Sequence, residues 1–394
     1  MRIRFPSKCL AAVLLGATAA AAAPDGAARL RRHVEALASA PRNAFDITGL
    51  PVGPKGASLD FAPNLVRASA YIAATLRGYG LNPVVASYPL ATLGDIRTKW
   101  GLKARLAKVD NIEVVFPARS GGVPGEILVV GAHYDSSILS SGFEPTPQKI
   151  VYNPGADDNA TAVAGLLELA RDLRGKSLNR EVRLAFFANE EPPFSNTVDE
   201  GSNHYAKALT GYAAAHSEKV IGMIALEGLG KWSRRDGTQL FLESVAKAVV
   251  PSPLLPGVRL VDKVMKLCYG GEGDFLIFSG YISYFSATSG LRLLEAAKSS
   301  YRRGSDVRII ALDKPVLDNY IGQNVSWSDN LTFNLFGVPA IMIGDTAPAR
   351  YPFHYHSAED TVADIDFDAM SRAVDGLAPM IVGLADDGLG GRAR

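Results

Sequence analysis

The chain's most regular feature is a series of short, nearly unbroken apolar runs that begins after Asn111: IEVVF, EILVVGA, VRLAFFA, VIGMIAL and PAIMIG. Strands with one wet face alternate apolar and polar residues, whereas strands covered on both faces read as continuous apolar stretches. The pattern therefore predicts a largely parallel α/β sheet. Between the second and third runs, Val163, Leu166, Leu167, Ala170 and Leu173 recur at helical spacing, and Gly175 stands where a helix commonly stops. Residues 27–40 and 65–79 read as two earlier packing helices at the periphery, separated by a Gly- and Pro-containing loop over 49–56. Residues 231–324 lack a clear period and read as an insertion or lid over the sheet edge or the site.

The first residues follow a different pattern. Arg2, Arg4 and Lys8 are followed by an alanine and leucine run that fades into small residues at Ala21 to Ala23. This is the layout of a secretory signal peptide, and the apolar run is shorter than the roughly 20 residues that a membrane anchor needs. The expected organisation is a signal peptide over 1–23 and one domain over 24–394, exported to the periplasm or secreted, with no stable membrane span once the leader is cleaved. Cys9 would leave with the leader, so Cys268 has no partner for an internal disulfide and reads as an apolar core residue.

Composition narrows the partners. With 47% hydrophobic and 21% charged residues the chain can fill a large core, and 41 basic against 40 acidic residues give a net charge of +1. No overall field would hold it to nucleic acid or an anionic membrane, so a peptide or small molecule is the expected partner.

The candidate chemistry lies where the apolar runs stop. EILVVGA leads to His133 and Asp135, VRLAFFA to Glu190 and Glu191, VIGMIAL to Glu227, and PAIMIG to Asp345. In open α/β sheets, ligands bind outside the carboxyl ends of the strands. In GAHYDS, His133 and Asp135 alternate on an extended segment, so the carboxylate can orient the imidazole as a zinc ligand. In PGADDNATA the adjacent Asp157 and Asp158 open a helix, where one carboxylate can simply cap. Two in a row repel each other unless a cation compensates them, and a carboxylate bridging two metals is one such arrangement. Of Glu190 and Glu191, one can ligate metal while the other takes a proton from water. FHYHSAEDT brings His354 and His356 to one side if it is extended, and Asn159-Ala160-Thr161 matches a glycosylation acceptor only by coincidence inside a buried site. His33, His204 and His216 lack carboxylate companions and read as structural or surface residues.

Competing signatures fail. There is no G-x-S-x-G elbow and no H-E-x-x-H helix, and Gly175-Lys176-Ser177 has Ala170 where a phosphate-binding loop needs its first glycine.

Taken in order, GAHYDS, GADDNA, ANEE, ALEG and YHSAEDT closely resemble the metal-site motifs of the zinc-dependent aminopeptidase family that includes bacterial leucyl aminopeptidases, aminopeptidase Y and glutamate carboxypeptidase. The motifs extend from His133 to Thr361. The resemblance implies a zinc exopeptidase fold of the phosphorylase/hydrolase-like type, a mixed sheet sandwiched between helices, with two zinc ions per chain. It assigns His133 and Glu227 to one zinc, Glu191 and His356 to the other, and Asp158 to the bridge, with a cis peptide before Asn159. It makes Glu190 the general base, Asp135 the partner of His133 and Tyr355 the stabiliser of an oxyanion, and gives His354 no ligand role. The implied activity is that of an exopeptidase, with an aminopeptidase favoured. Two positions depart from the pattern: many members carry Asp in place of Glu227, and relatives often read S-D-H where this chain has Ser328-Asp329-Asn330. One alternative is a glutaminyl cyclase-like acyltransferase with a single zinc, whose relatives usually carry Trp at the place of Tyr355. Another is a binding protein without catalysis, although such relics lose ligands and none is lost here.

Overall fold

The computed structural model describes residues 25–46, 61–91, 103–140, 150–235, 274–280, 287–312, 328–345 and 354–390. The leader expected over 1–23 and Cys268 lie outside them. The principal sheet has eight strands: β1 Val84–Pro89, β2 Lys108–Phe116, β3 Glu126–His133, β4 Glu181–Phe187, β5 Lys219–Glu227, β6 Phe275–Gly280, β7 Arg308–Leu312 and β8 Ala340–Gly344. Their spatial order is β1-β2-β4-β3-β5-β8-β6-β7. The central four, β4, β3, β5 and β8, run parallel, while β1, β2 and β6 each pair antiparallel to a neighbour, so the sheet is mixed around a parallel centre. The helices are α1 Asp25–Leu37, α2 Phe61–Gly78, α3 Ala162–Leu173, α4 Gly201–Ala215, α5 Ala287–Gly304, α6 Asp329–Leu335, α7 Phe367–Asp375 and α8 Leu377–Asp387.

The continuous apolar runs are explained by cover on both faces. Leu128, Val130 and Ala132 of β3 join the large core under α1, α2, α3, α5, α7 and α8. Ile127 and Val129 of the same strand join a smaller core under α4 and α6. Each leucine or valine buried in this way contributes about 1.5–3 kcal/mol. The edge strand β1 breaks the pattern: Tyr88 is its sole buried residue, and its Val84 and Val85 stay exposed.

Helices α1, α2 and α3 are tied by a polar knot around Glu168. Its carboxylate accepts from Arg29 Nε at 2.7 Å and Tyr79 hydroxyl at 3.2 Å, and lies 3.3 Å from His33 Nε2. His33 Nδ1 meets the Tyr71 hydroxyl at 2.7 Å, so this histidine is structural. His204 stacks on Tyr88 with ring centroids 4.0 Å apart, and His216 Nδ1 lies 2.8 Å from the carbonyl of Tyr212. The first two helices are less peripheral than their patterns predict, since Leu30, Val34 and Ile72 are fully buried. Within 231–324, β6, α5 and β7 extend the sheet and its cover, and 236–273, 281–286 and 313–327 lie outside the described residues. Among the described residues no helix is long and apolar enough to cross a membrane.

Candidate metal centre

Strand register gathers the polar residues. His133 pairs with Phe187, two residues before the turn that carries Glu190 and Glu191, and Gly344 pairs with Glu227. Gly344 is required there, because a Cβ would sit 2.1 Å from the carbonyl oxygen of Glu227. Thus β3, β4, β5 and β8 end at one edge, where the side chains closing or following β3, β4 and β5 converge.

The centre of the cluster is Asp158. Its Oδ1 lies 3.4 Å from His133 Nε2, and its Oδ2 lies 3.1 Å from His356 Nε2. On the first side, Glu227 Oε1 is 3.2 Å from His133 Nε2, and on the second, Glu191 Oε2 is 3.1 Å from His356 Nε2. Glu190 Oε2 stands 3.7 Å from His133 Nε2. Two groups therefore share Asp158: His133, Asp158 and Glu227, and Asp158, Glu191 and His356.

The spacing and chemistry of these atoms fit divalent cations. Bonds of about 2.0–2.1 Å around a tetrahedral zinc place neighbouring ligand atoms about 3.3 Å apart, close to the separations found here. His356 Nε2 and Glu191 Oε1 are buried without a hydrogen-bond partner. Charge balance points the same way. Burial would lower both histidines, yet the surrounding carboxylates override it, holding His133 well above its usual range and pushing His356 up to about 10. Burial raises Glu191 to about 7, with His356 opposing and Asp158 adding to the rise. Burial raises Glu190 well above the carboxylate range against the pull of His133, with Glu191 and Glu227 adding to the rise. Burial would also raise Asp158, but both histidines hold it well below. A pocket that draws in protons in this way favours positive charge.

A layer of hydrogen bonds fixes the ligands. Asp135 lies 3.4 Å from His133 Nδ1, and its two oxygens accept the backbone N–H groups of Glu190 and Glu191, each at 3.1 Å. Asn189 adopts a left-handed φ of 60°, a conformation that Asn tolerates, and so turns the chain out of β4. Asp360 accepts the N–H groups of Asp157 at 2.9 Å and Asp158 at 3.1 Å. The peptide before Asn159 is cis, and the Asn159 side chain donates to the carbonyl of Leu226 and accepts from Gly228 N–H. Asn159 is fully buried and engaged, in keeping with a glycosylation match that is coincidental. Ser328 donates to Glu227 Oε2 at 2.5 Å.

Every candidate ligand from the sequence reaches this cluster, as does Glu190. The ring of Tyr355 stacks on His356 with centroids 3.9 Å apart. The segment around His356 is turned, not extended, with His356 at φ 50°. Alternation therefore fails, and His354 leaves the site to meet Asp364 Oδ2 at 2.6 Å. Asp157 also faces away, accepting from Gly230 N–H at 2.9 Å and Thr161 Oγ1 at 3.2 Å. Asp345 closes β8 but accepts from Lys231 N–H at 2.6 Å.

Sequence reading missed two residues behind the cluster and gave no role to Asp360, which stands in FHYHSAEDT four positions beyond His356. Lys231, 3% exposed, places Nζ 3.7 Å from Asp360 Oδ1 and 3.3 Å from Asp364 Oδ2. Arg42, 1% exposed, sits beneath the site; burial lowers it to about 10, so it stays charged at neutral pH. Neither Lys231 nor Arg42 belongs to a motif, and no local signal marks them.

Comparison with known proteins agrees with this geometry. The model of peptidase family M28 matches residues 111–246. The uncharacterized protein YfbL of Escherichia coli (strain K12) is 33% identical over 261 residues, 66% of this chain and 68% of that protein. The fold is similar to that of a glutaminyl cyclase from Fimbriiglobus ruber, at TM-score 0.56 and 17% identity over 92% of this chain and 96% of that one. It is equally similar to an aminopeptidase from Aneurinibacillus sp. strain AM-1, at TM-score 0.56 and 15% identity over 91% and 93% of the two chains.

Proposed function

The chain belongs to peptidase family M28, and on that premise we propose that it is a two-zinc exopeptidase acting as an aminopeptidase on peptide substrates. One observation carries the reading: the two oxygens of Asp158 face two different histidines, at 3.4 and 3.1 Å, as a carboxylate shared between two cations would. In this reading His133 and Glu227 would hold one zinc, Glu191 and His356 the other, and Asp158 would serve both. Zinc bound there would supply Lewis acidity toward a peptide carbonyl and lower the pKa of water to about 7.

The chain's own residues do the rest. Glu190, 3.7 Å from His133 Nε2 at the edge of the cluster, accepts a proton from the attacking water and returns it to the leaving amine. Burial and the surrounding carboxylates hold the Tyr355 phenol well above its usual range, so it remains a donor for the developing oxyanion. Asp135 orients His133 and fixes the turn that carries Glu190 and Glu191.

The test is hydrolysis of aminoacyl anilides and short peptides by the mature protein, with and without chelator, beside a peptide that begins with glutamine. Release of the N-terminal residue, stopped by chelator and restored by zinc, supports the reading. Cyclisation of the glutamine without release of amino acid would assign a glutaminyl cyclase-like transferase instead. Stoichiometric zinc with no turnover of any substrate would leave a binding protein. The same proposal places the mature protein in the periplasm or outside the cell, which N-terminal sequencing of the exported form checks.

A further inference from the structure

We infer that Arg42, from the turn after α1, is a positioning residue that clamps together the two loops bearing His133 and Asp158. The inference rests on the metal-centre reading above. Arg42 lies outside the matched span of 111–246 and far in sequence from every ligand.

The guanidinium is buried, and its hydrogen bonds run to backbone carbonyls of three separate segments. Nε donates to Tyr134 at 2.8 Å, next to His133. Nη1 donates to Pro154 at 2.6 Å and to Leu37, at the end of α1, at 2.7 Å. Nη2 donates to Gly155 at 3.1 Å, three residues before Asp158. The backbone adds to the clamp: Arg42 N–H donates to Ser136 Oγ at 3.0 Å, and Ser136 N–H donates to the Arg42 carbonyl at 2.7 Å. Gly155 turns here at φ 61°, and a Cβ on it would come within 2.6 Å of Ser136 Cβ and 3.1 Å of Arg42 Nη2. The two loops are therefore pressed together around one side chain.

Arginine is suited to this geometry. Its planar fork carries five N–H donors at fixed angles, so one group can reach carbonyls on several segments at once. A lysine ammonium keeps the charge but concentrates its donors at one point, and it cannot span the same carbonyls. The clamp sets the distance between His133 and Asp158 before any cation enters, and residues that orient ligands in this way typically govern metal affinity by about 10–100-fold.

The experiment is zinc titration against a competing chelator, at a temperature where each protein is folded by circular dichroism, on the wild type, Arg42→Lys and Arg42→Ala. Wild type is expected to bind zinc, and R42K to bind about 10–100-fold more weakly while remaining folded. Guanidinium added to R42A should restore affinity, and methylammonium should not. If R42A does not fold, R42K decides alone. A folded R42K with wild-type affinity would overturn the inference and leave the metal-centre reading standing, with Arg42 serving stability only. A wild type that binds no zinc would overturn that reading first, and the clamp with it.

Discussion

Asp360 holds Asp158, whose carboxylate faces both His133 and His356, by its backbone: 202 residues apart in the chain, they are joined where Asp360 Oδ2 accepts the Asp158 N–H at 3.1 Å. Its other oxygen takes the N–H of Asp157 at 2.9 Å, so both lone-pair faces of one buried carboxylate are committed to one loop. An asparagine there would keep one acceptor and turn an NH2 toward a backbone N–H. Asp360→Asn is expected to cost about 1–3 kcal/mol in urea unfolding and to weaken zinc about tenfold or more. Unchanged zinc affinity would show that the bridge does not depend on this contact.

Lys231, like Arg42, is a buried cation beneath the cluster. It meets Asp360 at 3.7 Å and Asp364 at 3.3 Å, and its charge also draws down Asp157, which burial and Asp345 push well above the carboxylate range. Removing one partner of a buried ion pair costs about 3–5 kcal/mol, because the other charge is left stranded. Lys231→Met should approach that loss in denaturant unfolding at pH 7. Recovery in the double variant Lys231→Met with Asp360→Asn would identify the stranded carboxylate as the cause, and strict additivity would refute it.

Glu190→Gln tests the proton carrier. The amide keeps the shape but accepts no proton, so turnover should fall about 10²–10⁴-fold while zinc content stays at the wild-type level. Loss of zinc together with turnover would make Glu190 a ligand instead.

Metal removal should be felt as lost stability and as protons. The carboxylates that hold His133 above its usual range and push His356 up to about 10 favour protonated imidazoles in the metal-free protein, and both rings must be neutral to bind zinc. Zinc uptake should therefore release protons, and affinity should weaken as pH falls. An ion present at 100 times its dissociation constant adds about 2.7 kcal/mol, so chelation should lower the unfolding temperature. Calorimetry in buffers of different ionisation heat would read the protons directly, and zero release would contradict the assignment.

Glu168 gives the fold its own pH signature. Burial alone would raise this carboxyl, but His33, Arg29 and Arg171 hold it down from 4.5 to about 2. A depressed carboxyl stabilises the fold above its unfolded value and loses that contribution as pH falls through the folded one. Discounted for solvent screening, the gap is on the order of 1–2 kcal/mol at neutral pH. Glu168→Gln should show this loss in urea at pH 7, with the difference from wild type narrowing between pH 4.5 and 2. A gap that stays constant over that range would mean the carboxylate's charge is not the source.

The sequence by itself determined the central strands and the chemistry at their ends. A strand buried on both faces needs an unbroken apolar run, and the residue that closes such a run must lie at the sheet edge; both facts are local, so His133, Glu190, Glu191 and Glu227 could be found without coordinates. The short, largely exposed edge strand β1 gave no such signal. Tertiary structure decided what depends on distant segments meeting. It turned His356 into the site and His354 out of it through a left-handed residue, and set Asp158 over Asp157 as the shared carboxylate, two choices that the residues alone left open and only the family resemblance had anticipated. It also brought Arg42 and Lys231 beneath the cluster from places where nothing nearby marks them. Periodicity reports which face of an element is buried, whereas the partner of a buried charge is fixed only when the whole chain has closed around it.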